Sequence, residues 1–311
     1  MTDAIGLVGL GVIGQLYAGH LVRARGALVA YDLDPDHLQA GADIGATAAA
    51  SAKAVAEACD VIVLALPNPP AVLAAMLGQE GVIAGARPGT LVIDASTVDP
   101  ETSRRVYAAA RDRGVDYLDA PVSGGATGGA GTDGARAATI SFMVGGEADA
   151  FERAKPTLAI LGERWFYLGP SGMGSTVKLI SNLMAGLHNL VASEAFVLGA
   201  AAGIEPETLL EVFDGTDAKS FWLTDYFAPR VRRHDFEPGF SVDLQYKDHR
   251  LASDLGRQLG VPLLFNDLAV GVYQAMRASG LGGQDLVESV RFLGGLAGTD
   301  IYEVRRPKGS R

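Results

Sequence analysis

The chain has 311 residues, 48% of them hydrophobic and 20% charged, which is enough for two domains with cores of their own and excludes general disorder. A formal net charge of -10 argues against nucleic acid as a partner, because phosphate binding needs a basic face. The single cysteine, Cys59, excludes an internal disulfide and a multi-cysteine metal site and fits a reducing cytosol.

No basic segment precedes the first apolar run, so no secretory leader is expected and the cytoplasm is the expected compartment. Residues 4–9 read as a buried strand, followed at once by Gly9-Leu10-Gly11-Val12-Ile13-Gly14 and a helical pattern to about Arg25. In this setting the first glycine permits a tight turn and the second lets backbone approach a pyrophosphate. The third lets the helix pack closely on the strand with its N-terminus facing the phosphates. A second strand, 27–31, ends in Asp32, where an acid accepts hydrogen bonds from the adenosine ribose hydroxyls. That carboxylate would repel a 2'-phosphate, and Leu33, Asp34, Pro35 and Asp36 supply no arginine to welcome one, so NAD is expected over NADP.

Strand and helix then alternate. Residues 61–66 form an apolar run ending at Leu66-Pro67-Asn68; residues 91–95 end in Ser96-Thr97; residues 115–119 end in Ala120-Pro121-Val122-Ser123-Gly124-Gly125. Open parallel sheets bind ligands at the carboxyl ends of their strands, where all these polar or glycine-rich turns fall. A strand at 140–146, a helix at 147–161 and a strand at 165–168 precede Gly169-Pro170, where a domain boundary is expected. The fold class is α/β: a Rossmann-type doubly wound sheet over 1–169, then an all-helical domain over 170–311, joined by a long helix.

That helix, residues 172–202, runs without a proline, and Ser175 and Thr176 suit a capping role at its start. Its apolar residues lie on nearly every face, which predicts burial by two domains or by a second subunit and hence a homodimer or homotetramer. Asn182, His188, Asn189 and Glu194 make it too polar for a membrane span. Lys178 and Asn182 lie four apart on one stripe that Asn189 continues, and an ammonium on an apolar surface is expensive unless something uses it. Beyond it, residues 207–213, 220–227, 242–259, 262–279 and 285–292 read as helices. Lys247 sits near the start of one of them beside Asp248, a pairing that by itself reads as a solvated lysine next to an acid. The five histidines show no metal spacing, and no metal is expected.

With these residues in hand the chain resembles the beta-hydroxyacid dehydrogenase family, which includes 3-hydroxyisobutyrate dehydrogenase and tartronate semialdehyde reductase. The resemblance spans about residues 5–296 and rests on several motifs together. These are the glycine turn, Asp94-Ala95-Ser96-Thr97, Asp119 through Gly125, Gly174 through Lys178 to Asn182, and Lys247-Asp248. It implies hydride transfer between a nicotinamide cofactor and a small 3-hydroxy acid, with Lys178 as general acid and base. Ser123, Gly124, Gly125 and Asn182 would then hold the substrate. Gly9, Gly11, Val12, Ile13, Gly14, Asp32, Leu66, Pro67, Asn68, Thr97 and Lys247 would surround the cofactor. The chemistry agrees: alcohol oxidation needs the hydroxyl proton removed and reduction needs one delivered, which a single amine whose pKa is lowered by apolar surroundings serves.

The sequence departs from the family pattern in three places. Ile13 stands where methionine is common, Ser181 where asparagine is common, and residues 126–138 make a longer, glycine-rich link that reads either as a surface insertion or as a mobile substrate lid. Two alternatives share the fold: an imine reductase, in which the lysine is typically replaced, and a nucleotide-binding scaffold without catalysis.

Overall fold

The computed structural model describes residues 4–124 and 131–304, which divide into two compact units, the chain passing from the first to the second between Leu179 and Ile180. In the first unit six parallel strands form a sheet in the order β3-β2-β1-β4-β5-β6: β1 Ile5–Val8, β2 Leu28–Tyr31, β3 Thr47–Ala48, β4 Val61–Leu64, β5 Leu91–Asp94 and β6 Asp116–Asp119. Ile5 pairs with Leu28 on one side and Val61 on the other, and Leu91 continues the row to Asp116. The order turns back at β1 and β4, so the crevice at the carboxyl end of these strands lies beside the turn that follows β1.

Both faces of the sheet are covered, and this is why β1, β2 and β4 are apolar along their whole length and not at alternate positions. Leu7, Val63, Ile93 and Leu118 pack on one side with Tyr17, Ala18 and Leu21 of the helix Val12–Arg25. Ile62, Leu64, Val92 and Tyr117 pack on the other with Val55, Met76 and Val106. Cys59 lies wholly buried in this second layer, and burial pushes its thiol up to about 11, so it is a packing residue and not a nucleophile.

A second, three-stranded sheet takes the strand expected at 140–146. β7 Val122–Ser123 pairs antiparallel with β8 Ile140–Val144, which pairs parallel with β9 Gly162–Tyr167. Two backbone hydrogen bonds between Asp119 and Gly145 join the two sheets. Between β7 and β8 the residues 131–137, read from sequence as loop, form a helix, Gly131–Ala137. Ala135 is fully buried there, and its carbonyl accepts a hydrogen bond from His20 Nε2 on the first helix. The lid expectation falls partly on residues 126–130, outside the described residues; the part described is packed helix.

The long helix is Met173–Ala201. By length and composition it is apolar enough to cross a membrane, yet half of its most apolar window is buried inside the protein. Its start is not closed as the sequence suggests: Thr176 Oγ1 donates back to the Gly172 carbonyl, and Ser175 Oγ pairs with Ser103 Oγ. A carboxylate from a distant strand takes the capping role, as described below.

In the second unit every described residue from 180 to 304 is helix, turn or coil apart from one isolated bridge between Ser241 and Asp285. The helices expected at 207–213, 242–259 and 262–279 are Pro206–Asp214, Val242–Leu259 and Leu264–Ala278. The one expected at 220–227 is a π-helical turn, Trp222–Phe227, running into Ala228–Arg233. The last, expected at 285–292, is a 3-10 turn, Leu286–Glu288, continued by Ser289–Ala297. Phe196, Phe227, Tyr273, Met276 and Val290 are fully buried at the centre of this unit. Asn189 donates there to the Leu286 carbonyl and to Ser289 Oγ, which makes it a clamp between helices.

Candidate active site

The turn after β1 has the backbone a dinucleotide needs. Gly9 has φ of 98°, and a Cβ on it would lie 2.4 Å from the Ala65 carbonyl oxygen; one on Gly14 would lie 2.0 Å from the Gly9 carbonyl oxygen. Around Gly11 nothing stands within 4 Å of the place a Cβ would take, no side chain caps the helix it opens, and Val12 is exposed. An uncapped helix N-terminus facing open space fits a pyrophosphate. Asp32 follows β2, and its carboxylate is already held, Oδ2 by the Leu10 amide at 2.6 Å and Oδ1 by the Asp34 amide at 2.9 Å. It therefore braces the glycine turn.

Leu66, Pro67 and Asn68 follow β4, where the Leu66 amide donates to Ser96 Oγ and Asn68 Oδ1 caps the helix Pro69–Leu77 through the Ala71 amide. Thr97 lies three residues beyond Asp94 at the end of β5, and Ser123 and Gly124 lie half-buried in and after β7. Gly125 is outside the described residues. Lys178 belongs to the same unit and is 7% exposed. Because the six strands are parallel, the turns after β1, β2, β4, β5 and β6 open on one edge of the sheet, and the long helix starts at the end of β6, where Asp119 holds its first turn.

A second group of expected site residues gathers in the helical unit. Asn182, one turn after Lys178 on the long helix, is buried, and its Nδ2 donates to Asp248 Oδ2 at 2.5 Å. The other Asp248 oxygen pairs with Lys247 Nζ at 3.0 Å, and Gln245 Nε2 donates to the Asn182 carbonyl. Asp248 is 1% exposed, so the pair read from sequence as solvated is instead a buried bracket holding a substrate candidate and a cofactor candidate. Among the described residues no group of three or more His, Cys, Asp and Glu side chains is arranged to hold a metal ion.

Residues 4–169 match the family described as the NAD binding domain of 6-phosphogluconate dehydrogenase. Residues 172–293 match that described as the NAD-binding domain of NADP-dependent 3-hydroxyisobutyrate dehydrogenase. The chain belongs to the beta-hydroxyacid dehydrogenase family. It is 34% identical to the 2-(hydroxymethyl)glutarate dehydrogenase of Eubacterium barkeri, over 96% of this chain and 97% of that protein. It is equally 34% identical to the NAD-dependent L-serine dehydrogenase of Pseudomonas aeruginosa, over 90% and 94%. The solved 3-hydroxyisobutyrate dehydrogenase of Mycobacterium tuberculosis with L-serine superposes with a TM-score of 0.84 at 31% identity, covering 94% of this chain and 99% of that one.

What the sequence does not disclose in this beta-hydroxyacid dehydrogenase is the bracket around Asn182. The signal for it lies in the helix Val242–Leu259, where Gln245, Asp248, His249, Ala252 and Ser253 are all buried at helical spacing. Polar residues on a core stripe demand partners: Gln245 and Asp248 find them on the long helix, His249 and Ser253 on the helix Leu264–Ala278. His249 donates through Nδ1 to Asn266 Oδ1, so Nε2 is the unprotonated nitrogen, and burial holds the imidazole below its ordinary pKa. Gly186 allows this approach: a Cβ there would lie 2.1 Å from His249 Nε2 and 2.2 Å from Gln245 Nε2. Gly186→Ala is expected to force the two helices apart and cost ~1–3 kcal/mol. Thermal denaturation should show a lower Tm; an unchanged Tm would mean that the helices part at no cost.

Proposed function

We propose that the protein is an NAD-preferring dehydrogenase that interconverts a small 3-hydroxy acid and its semialdehyde or keto form, with Lys178 as general acid and base. The observation that carries this reading is the buried amine of Lys178 on the helix that starts at the carboxyl end of β6, at the same edge as the glycine turn and Asp32. The nicotinamide ring, when bound, supplies the hydride acceptor or donor. In oxidation Lys178 Nζ takes the proton of the substrate hydroxyl, and in reduction it returns that proton to the new alkoxide oxygen. Backbone amides at Ser123 and Gly124 receive the substrate carboxylate without adding charge, and Asn182, fixed by Asp248, orients the hydroxyl. Glycines 9, 11 and 14 admit the pyrophosphate, and Lys247 approaches the cofactor from its ion pair with Asp248.

A panel of three- and four-carbon hydroxy acids and semialdehydes, read by NADH absorbance in both directions, tests this. Turnover of none, with NAD bound, would leave the scaffold reading. Lys178 speaks against an imine reductase, since those relatives typically replace it.

The helix Gly131–Ala137 bears on substrate affinity, because a Cβ on Gly134 would lie 2.3 Å from the Gly124 carbonyl oxygen. Gly134→Ala is expected to push that turn and raise KM for the hydroxy acid several-fold, about 1 kcal/mol of binding, with NAD affinity unchanged. Equal KM values for variant and wild type would leave the helix as a surface insertion without influence on the site.

A homodimer or homotetramer accounts for the apolar surface of the second unit. Ile180, Met184, Val191 and Leu198 are exposed along the long helix, and Leu264, Phe265 and Leu268 are each about 70% exposed on Leu264–Ala278. Light scattering at micromolar concentration is expected to give at least twice the 32.3 kDa chain mass; the chain mass alone would contradict it. The acidic balance disfavours a nucleic-acid partner, the polar groups buried along the long helix disfavour a membrane, and the cytoplasm is the proposed compartment.

A further inference from the structure

Asp119 ends β6 and is 1% exposed, and neither cofactor nor substrate binding as described above uses its side chain. Its two carboxylate oxygens face the start of the long helix. Oδ1 accepts the Gly172 amide at 2.7 Å and Ser171 Oγ at 3.2 Å, and Oδ2 accepts the Ser175 amide at 2.9 Å. The slot around it is built of glycines: a Cβ on Gly145 would lie 2.8 Å from Oδ1, and one on Gly174 would lie 2.9 Å from Oδ2 and 2.5 Å from the Asp119 carbonyl oxygen. A helix start is ordinarily closed by a side chain at its own N-cap, whereas here the acceptor comes from 53 to 56 residues away in sequence.

The position of this clamp in the chain gives it a consequence for chemistry. Lys178 follows Ser175 by three residues, about 4.5 Å along the helix axis and on the same side of it. In the other direction Asp119 leads through Ala120, Pro121 and Val122 to Ser123 and Gly124. One carboxylate thus ties the lysine's turn of helix to the strand that carries the substrate-carboxylate turn. Burial raises its pKa, and the hydrogen bonds donated by the Gly172 and Ser175 amides and Ser171 Oγ oppose that rise. A second tie runs alongside, since Ser175 Oγ meets Ser103 Oγ at 2.8 Å, and the Tyr117 hydroxyl donates to the buried Asp94 carboxylate at 2.7 Å.

We propose that Asp119 is the positioning residue for Lys178, holding the first turn of the Met173–Ala201 helix so that the amine stands at a fixed place relative to Ser123 and Gly124. The proposal rests on the catalytic assignment of Lys178 above. Asp119→Asn keeps the volume but offers one acceptor oxygen where two are used and turns an NH₂ toward a backbone N–H. Misplacement of a catalytic group by about an ångström costs up to ~10²-fold.

The test is a double-mutant cycle on the full-length protein, with kcat, KM, NAD dissociation constant and Tm measured for Asp119→Asn, Lys178→Ala and the pair. In the wild-type background Asp119→Asn should lower kcat about tenfold or more with NAD affinity retained. In the Lys178→Ala background it should lower the residual turnover by less than about twofold, because the group it positions is gone. The same fold-loss in both backgrounds, or no loss in the first, overturns the proposal while leaving Lys178 as the catalytic group. Wild-type turnover by Lys178→Ala alone overturns the reading beneath it. Should Asp119→Asn not fold, Ser171→Ala removes one donor from the same carboxylate; a two- to fivefold loss of kcat confined to the Lys178 background supports the proposal, and an unchanged kcat overturns it.

Discussion

Lys178→Ala is expected to lower kcat by ~10²- to 10⁴-fold in both directions while leaving the NAD dissociation constant close to the wild-type value. The asymmetry follows from where the groups lie. The proposed pyrophosphate cradle, Gly9 to Gly14, and the proposed ribose acid Asp32 are built by β1, β2 and the first helix, and their geometry is held by the Leu10 amide, the Ala65 carbonyl and close glycine packing. None of those contacts involves the long helix. In the proposed mechanism the amine acts only on the substrate oxygen, whose proton leaves as hydride departs from the carbon bearing that oxygen, so its loss raises the barrier of the chemical step and not the cost of holding the cofactor. Fluorescence titration of NADH alongside steady-state assays separates the two quantities. A variant with wild-type kcat would reduce Lys178 to a packing residue and remove the mechanism.

Much of this arrangement is readable in the sequence because it is local. The glycine turn, the acid that ends β2 and the apolar runs of β1, β4 and β5 are each written within a few residues, and a parallel sheet makes their turns converge without further information. Three features are not local, and the sequence does not show them. Asp119 caps a helix more than fifty residues away, so the serine and threonine at the helix start are the natural but mistaken choice for the cap. Asp248 gains its meaning from Asn182, 66 residues earlier, and only its place on a buried stripe distinguishes it from a solvated acid. The helix Gly131–Ala137 has two glycines, a residue type that costs ~1 kcal/mol each against alanine in a helix. Burial of Ala135 and the hydrogen bond from His20 offset that propensity, which a composition-based reading has no means of weighing. The split of the strand at 140–146 into a separate sheet has the same origin, since pairing partners are set by β7 and β9 and not by the strand itself.

The cofactor preference is the second large effect expected. With the wild-type protein kcat/KM for NAD should exceed that for NADP by at least about tenfold, corresponding to ~1.4 kcal/mol or more of repulsion between Asp32 and a 2'-phosphate. Asp32→Ala should narrow that ratio, but not by improving NADP alone. The carboxylate also accepts the Leu10 and Asp34 amides, so its removal strips two backbone donors at the glycine turn of their acceptor and slackens the cradle for either dinucleotide. The expected pattern is therefore a loss with NAD that is larger than any change with NADP. Asp32→Asn sharpens the comparison: it keeps one acceptor oxygen while removing the charge, so it should retain more activity with either dinucleotide than the alanine variant. Equal or better kcat/KM with NADP in the wild-type protein would contradict the role assigned to Asp32.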